Sequence, residues 1–240
     1  MTEGRSLIDI QAEMKKQSEL IKSKIGKPGG DFIKVQQDKK FKLPDGTTSE
    51  GPLSVVILDF ISVNTFYDRP YKEGEMVPPA CFAINEEPEL LAPHATSPVM
   101  QVEKGKICKQ CPNDVFGSAG NGKACTNTRV LAVVPAGSGK DEPVLNLKVS
   151  PTAIRAFDAY VKTISEQFDG PPIVVVTDIY FDPGLKYPSL RFGNPSPNEQ
   201  LAVHFERQKA AKERLAAPID VSQYSPPPAA KAAAATGKRR

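Results

Sequence analysis

Every cysteine of this chain falls between residues 81 and 125: Cys81, then Cys108 and Cys111 in C-K-Q-C, then Cys125 in G-K-A-C, with 26, 2 and 13 residues between them. Four thiols gathered in this way constrain the fold, because a shared site would clip remote stretches of chain together. Thiolates are soft ligands, and four of them suit tetrahedral zinc, with an iron–sulfur centre as the second reading and buried or disulfide-bonded thiols as the third. Four thiolates leave a zinc ion no open position for water, so the expected metal is structural rather than hydrolytic. The segment C-P-N-D-V-F-G-S-A-G-N-G-K-A-C, with Pro112, Gly117, Gly120 and Gly122, is a loop that a crosslink would hold in one conformation.

A length of 240 residues allows one good core with attached arms. The 40% hydrophobic content, with 23 Pro and 17 Gly, fits a globular centre with many turns. No run approaches the roughly 20 apolar residues of a membrane span, and the first residues carry no apolar stretch of signal-peptide length. A cytosol-like reducing compartment is therefore expected, and it favours metal over disulfides. Formal charge is only +3, but it is unevenly spread. Residues 207–240 carry eight Lys or Arg against Glu213 and Asp220, and residues 12–42 carry nine lysines against four acids. Patches of this kind meet polyanions or simply keep a surface solvated.

Residues 6–25 have helical spacing, with Leu7, Ile10, Met14, Ile21 and Ile25 near one stripe, and Lys27-Pro28-Gly29-Gly30 ends the pattern. Strand-like runs follow: F-I-K-V, F-K-L, the long L-S-V-V-I-L-D-F-I-S-V, R-V-L-A-V-V, V-L-N-L-K-V, I-V-V-V-T-D-I-Y-F and the short L-R-F. Pro44-Asp45-Gly46 marks a turn between two of them. A helix is predicted from Ser150 as cap and Pro151 in the first turn, with Ile154, Phe157, Val161, Ile164 and Phe168 toward a core. A second helical pattern covers 195–216, and a flexible basic tail begins near residue 222. Parallel α/β architecture needs a helix after most strands, and too few are present. The expected fold is mainly β, a partly open β-barrel with flanking helices.

Catalytic signals are weak. The separator P-A-G-S-G-K-D lacks the hydroxyl residue that completes a phosphate loop. His94 and His204 have no paired ligand or carboxylate motif, and Asp59, Asp68, Asp178 and Asp182 have no spacing that joins them into a nuclease site. Aromatic residues are better placed. Phe66, Tyr67 and Tyr71 accompany Arg69 and Lys72 in N-T-F-Y-D-R-P-Y-K, and Tyr180, Phe181, Lys186, Tyr187, Arg191 and Phe192 cluster later. Rings stack on bases while nearby cations meet phosphates, which is how single strands are held without sequence preference; the alternative is that these rings fill the barrel.

Several strings resemble the single-stranded DNA-binding proteins of tailed bacteriophages: V-V-I-L-D-F-I-S-V-N-T-F-Y-D at 55–68, V-P-P-A-C-F-A at 77–83, C-K-Q-C-P-N-D-V-F-G-S at 108–118 and G-K-A-C-T-N-T-R at 122–129. S-P-T-A-I-R-A-F-D-A-Y-V and V-V-V-T-D-I-Y-F-D are of the same style, so the likeness covers roughly 30–195. The helical pattern makes 1–29 an N-terminal arm, and the resemblance implies an oligonucleotide-binding (OB)-like, partly open β-barrel at 30–195 that binds single-stranded DNA and carries a zinc-bearing, cysteine-rich loop insertion at 78–127. A C-terminal helix at 196–221 and a disordered basic tail at 222–240 complete the expected organisation. It implies non-catalytic, largely sequence-independent protection of single-stranded DNA during phage replication or recombination, with replication or recombination proteins as partners. A metal-dependent nuclease and a DNA-contacting virion protein are the alternatives. Phe66, Tyr67, Tyr71 and Tyr187 are the stacking candidates. Arg69, Lys72, Lys106, Lys109, Lys123 and Arg129 are the phosphate-contact candidates, and Cys81, Cys108, Cys111 and Cys125 are the zinc ligands. Many proteins of this functional class end in an acidic tail that recruits partners; this chain ends in K-A-A-A-A-T-G-K-R-R, against such recruitment.

Overall fold

A computed structural model describes residues 31–70, 77–103 and 105–226. The helix expected over 6–25, the tail beyond residue 226, Tyr71 and Lys72 lie outside the described residues. The strands are β1 (Phe32–Val35), β2 (Phe41–Lys42), β3 (Thr48–Ser49), β4 (Leu53–Phe66), β5 (Cys81–Asn85), β6 (Cys125–Pro135), β7 (Leu145–Val149), β8 (Val175–Phe181) and β9 (Leu190–Pro197). The helices are α1 (Pro151–Phe168) and α2 (Leu201–Leu215). The strands run β3-β2-β1-β7-β6-β4-β8-β9 across one sheet, with β5 added against β4. Pairing is antiparallel except between β1 and β7, so the sheet is mixed. It is open and curled, a half-barrel flanked by two helices, and this geometry is consistent with an OB-like fold.

Two compact units divide the described chain: 31–60 with 129–215, and 61–128 with 216–226. In the first, the apolar alternation of β4, β6, β7 and β8 gives one continuous core. Val55, Ile57, Leu131, Val133, Leu147 and Ile179 are buried with Phe157, Tyr160 and Ile164 of α1. Each such side chain contributes about 1.5–3 kcal/mol by leaving water. The ring of Phe157 meets Phe60 at 5.0 Å and Phe192 at 5.1 Å, both edge-on, and Phe41 stacks on Phe181 at 4.5 Å. Ile57 and Phe60 both belong to this core, so the two-residue period of β4 breaks between them, just before the chain passes into the second unit.

The neighbouring residues Val56, Leu58, Ala132 and Val134 are buried as well, which by strand alternation places them on the opposite face. There α2 lies: the Gln208 side chain donates to the Leu58 carbonyl at 2.9 Å, and Ala211 and Leu215 are buried. The same helix clamps the β6–β7 loop. Gln200 donates to the Gly137 carbonyl, His204 Nε2 to that of Ser138, and Arg207 to those of Gly139 and Glu142. His204 is fully buried, with Nδ1 3.0 Å from the amide nitrogen of Asn198, so its role is structural.

Helix α1 starts where the sequence places it, at Pro151 after Ser150. The Ser150 hydroxyl bonds Thr152 rather than capping a backbone amide. The expected inward stripe needs one correction: Phe168 is exposed, because the helix ends there beyond the sheet, while Ala153 and Tyr160 are buried instead. Tyr160 reaches the buried hydroxyl of Thr177 at 2.9 Å. Past α1 the chain turns back through Asp169, in the left-handed region at φ 48°, and Gly170, where a Cβ would stand 2.8 Å from Val174 Cγ1. A second correction concerns residues 195–197. They belong to β9 rather than to a helix, with Ser196 opposite Val176 and Pro197 opposite Val175, and the last helix begins only at Leu201. Proline is tolerated at the free edge of a sheet, where its missing N–H has no partner to leave.

Candidate nucleic-acid interface

The second unit is built on the far half of β4. Residues Ser62 to Phe66 pair with β5, from Ser62 opposite Asn85 to Phe66 opposite Cys81. The Thr128 hydroxyl donates to the Val63 carbonyl at 2.9 Å and Asn127 donates to the Asn64 side chain at 2.7 Å, tying the start of β6 to the same strand. Cys81 and Cys125 thus enter from β5 and β6. Cys108 and Cys111 come from two consecutive short 3-10 turns, Cys108–Gln110 and Pro112–Asp114. The knuckle is pinned by backbone bonds from Cys108 N to Leu91 O at 2.7 Å and from Cys111 N to Cys108 O at 2.9 Å. The glycine loop beyond it closes through Gly117 N to Gly122 O, with Gly117 and Gly120 at positive φ as the turn requires.

All four thiols are free and buried. Burial pushes the Cys108 thiol up to about 12, with the nearby charges of Cys81, Asp114 and Cys111 adding to it. Burial likewise lifts Cys125 to about 12, followed by Asp114 and the other three cysteines. Cys81 is raised by burial first, with Cys111 adding. The four sulfurs therefore lie within electrostatic range of one another in one unit, where the thiolate form is disfavoured unless a cation compensates it. That donor set has the chemistry zinc requires. The side chains as placed do not close a ligand shell: among the described residues no group of three or more His, Cys, Asp or Glu stands ready to hold a metal ion.

The aromatic candidates divide. Tyr67, just past the end of β4, is 44% exposed, and partial burial raises its phenol pKa. Phe66 is half-buried beside it. Tyr187 is 48% exposed, but in the β8–β9 loop of the first unit. Phe181 and Phe192 are core rings of that unit. The sequence reading passed over Phe116, which is 75% exposed beside the knuckle. Its signal was a ring between Val115 and Gly117 in a loop too rich in glycine to bury it.

The cations behave differently from what their sequence neighbourhoods suggested. Lys106 pairs with Glu103 at 2.8 Å, Lys109 with Glu89 at 2.6 Å, Lys123 with Asp114 at 3.0 Å and Arg129 with Asp158 at 3.2 Å. Arg69 bonds Asp68 at 3.2 Å and the Ser225 carbonyl, and its guanidinium lies 5.8 Å from the ring centre of Tyr224, whose hydroxyl bonds Asp68. Each of these five carries an acid of its own. The acids considered for a nuclease are engaged too: Asp182 with Arg191 at 2.6 Å, Asp178 with Ser54 and Asn194, Asp59 with Lys212 at 3.7 Å and Asp68 with Arg69. No protein-family model, curated protein or solved structure matches this chain.

Proposed function

We propose that this protein binds single-stranded DNA without turnover and largely independently of sequence, protecting it during phage replication or recombination. The observation that carries the reading is the open, curled OB-like half-barrel, a geometry suited to nucleic-acid binding in general. The strings that resemble phage single-stranded DNA-binding proteins narrow it to that substrate, and exposed Tyr67 and Phe116 supply the flat surfaces on which unpaired bases stack. In this reading Cys81, Cys108, Cys111 and Cys125 hold a structural zinc. The ion, when bound, neutralises the thiolates and fixes the knuckle that carries Phe116. The chain's own residues do the binding: rings stack, and lysines meet phosphates, exchanging their surface acids for the strand.

The test is incubation of labelled single-stranded and duplex DNA with the full chain and magnesium. A shifted, intact single strand is the expected result. Cleavage abolished by chelator would point to the nuclease instead, and no binding to either DNA would remove the reading. Tyr67→Ala and Phe116→Ala should each weaken single-strand binding by about 1–3 kcal/mol per base lost while leaving the fold unchanged.

A further inference from the structure

Side chains directly opposite one another on paired strands share a face of the sheet. In the first unit Lys42 of β2 stands opposite Lys34 of β1. In the parallel pair, Phe32 is opposite Asn146 and Ile33 opposite Leu147, so the next step of the register brings Lys34 beside Lys148 of β7. The row continues with Val130 of β6, opposite Lys148, and begins with Thr48 of β3, opposite Lys42. Alternation confirms the face: Ile33, Phe41 and Leu147 point into the core, while Lys34, Lys42 and Lys148 are exposed. With strands about 4.8 Å apart, three ammonium-bearing chains arise within about 10 Å of one another, close to the screening length at physiological salt.

The neighbouring row shows how this sheet ordinarily treats a lysine. Two register steps along the β2–β3 hairpin, past Phe41 and Ser49, Lys40 meets Glu50 at 2.6 Å, and Asp38 lies 3.6 Å away. Lys42 has Thr48 where Lys40 has Glu50, and on the other side it has a second lysine. None of Lys34, Lys42 and Lys148 has an acidic partner among the described residues, in contrast to the five cations of the candidate interface. Like charges directly opposite on adjacent strands are destabilising, so the row carries a cost that the bare protein does not offset. Separately from any repulsion, the surroundings of Lys148 desolvate its ammonium and lower its pKa, although its chain remains exposed. On the same face, two residues before Lys34, the Phe32 ring is 38% exposed.

We infer that Lys42, Lys34 and Lys148 form a phosphate track across β2, β1 and β7, with Phe32 beside it as a stacking surface. The bound strand lies across these three strands rather than along any one of them. The assignment rests on the single-strand reading above and names the surface that would serve it.

The experiment measures binding of a fluorescent oligothymidylate to the full chain over a range of salt concentrations. Three variants are compared with the parent: K34Q/K42Q/K148Q, the charge-retaining K34R/K42R/K148R, and K140Q/K162Q/K209Q as a control that removes equal charge elsewhere. Loss of three contacts should reduce the slope of log K against log salt by about 2, since each is worth about 0.7 on single strands. That corresponds to roughly a hundredfold weaker binding at about 0.1 M salt. The arginine variant should keep the parent slope, and the glutamine variant should melt no lower than the parent, because it removes only repulsion. An unchanged slope in K34Q/K42Q/K148Q, or an equal loss in the control, would overturn the track and leave single-strand binding intact. A parent protein that binds no single strand at any salt would overturn both.

Discussion

In the first unit, β4, β6, β7, β8, β9 and α1 bury their apolar sides against one another in a single core. In the second, Ile61, Val63 and Phe82 are buried on the β4–β5 ladder, but the cluster around the knuckle is small, Ala83 and Leu91 with Cys108, among turns, short hydrogen-bonded loops and four thiols. One region is ordered by removing hydrocarbon from water, which tolerates variation in detail. The other buries little hydrocarbon around its knuckle, and there its order depends on what its cysteines do. Exposed apolar groups occur in both, Val115 and Phe116 in the second unit's loop and Phe32, Phe168 and Phe205 in the first.

The largest test of this contrast is Phe157→Ala. It removes a fully buried ring that touches Phe60 and Phe192, and should cost about 3–5 kcal/mol, read as a lower denaturant midpoint. Hydrogen-exchange protection should fall across β8, β9 and α1 together. If only α1 lost protection, the core would not be the single body described.

The second test is Cys111→Ser. Metal should be lost and protection should disappear over about 105–127, while the unfolding of β6–β9 and α1 stays near that of the parent. The sign of the pH dependence then tells free thiols from a metal site. Without metal, Cys108 and Cys125 are raised from 9.0 to about 12 in the folded protein, so the unfolded chain loses protons first. The stability of the unit should fall as pH climbs from 9 toward 12 and be flat below. With zinc the ligands must be thiolates, and stability should instead fall as pH is lowered and protons compete with the metal. Thermal melts with and without chelator measure both. An identical pH profile in the two would remove the metal from the account.

A smaller effect is expected at Gly170→Ala. The added Cβ would press on the stiff, partly buried Val174, at a cost of about 1–2 kcal/mol in a urea melt. Smallest is Lys123→Ala, which breaks the exposed end of the pair with Asp114 and should change stability by about 0.5 kcal/mol or less.

Helix α1 and all the strands but β3 and β5 were legible because their apolar residues repeat with the right period and their ends carry Pro, Gly and Ser. Residues 190–197 were only partly legible. P-S-P at 195–197 reads as the start of a helix, yet its backbone pairs with β8 along an edge where side-chain pattern matters little. Phe168 misled because periodicity continues to the last turn of a helix whether or not a sheet remains beneath it. The cysteines were legible as a set. The ion pairs were not, since Arg129 finds Asp158 and Lys109 finds Glu89 only through tertiary folding. The lysine row was hidden for the same reason: Lys34, Lys42 and Lys148 become neighbours only once the register of three strands is known.

The parallel pairing of β1 with β7 and the antiparallel pairing of β4 with β8 have a consequence during synthesis. Ile33 waits for Leu147 and Val55 waits for Thr177, so the chain emerging from the ribosome cannot complete its main sheet until most of it has been made. The β4–β5 ladder needs only nearby residues and closes first. Until β8 arrives, the apolar V-V-I-L of β4 is an unpaired edge, the segment most open to association with other chains. Expression yield should therefore depend more on translation rate and chaperone supply than the stability of the finished fold would suggest.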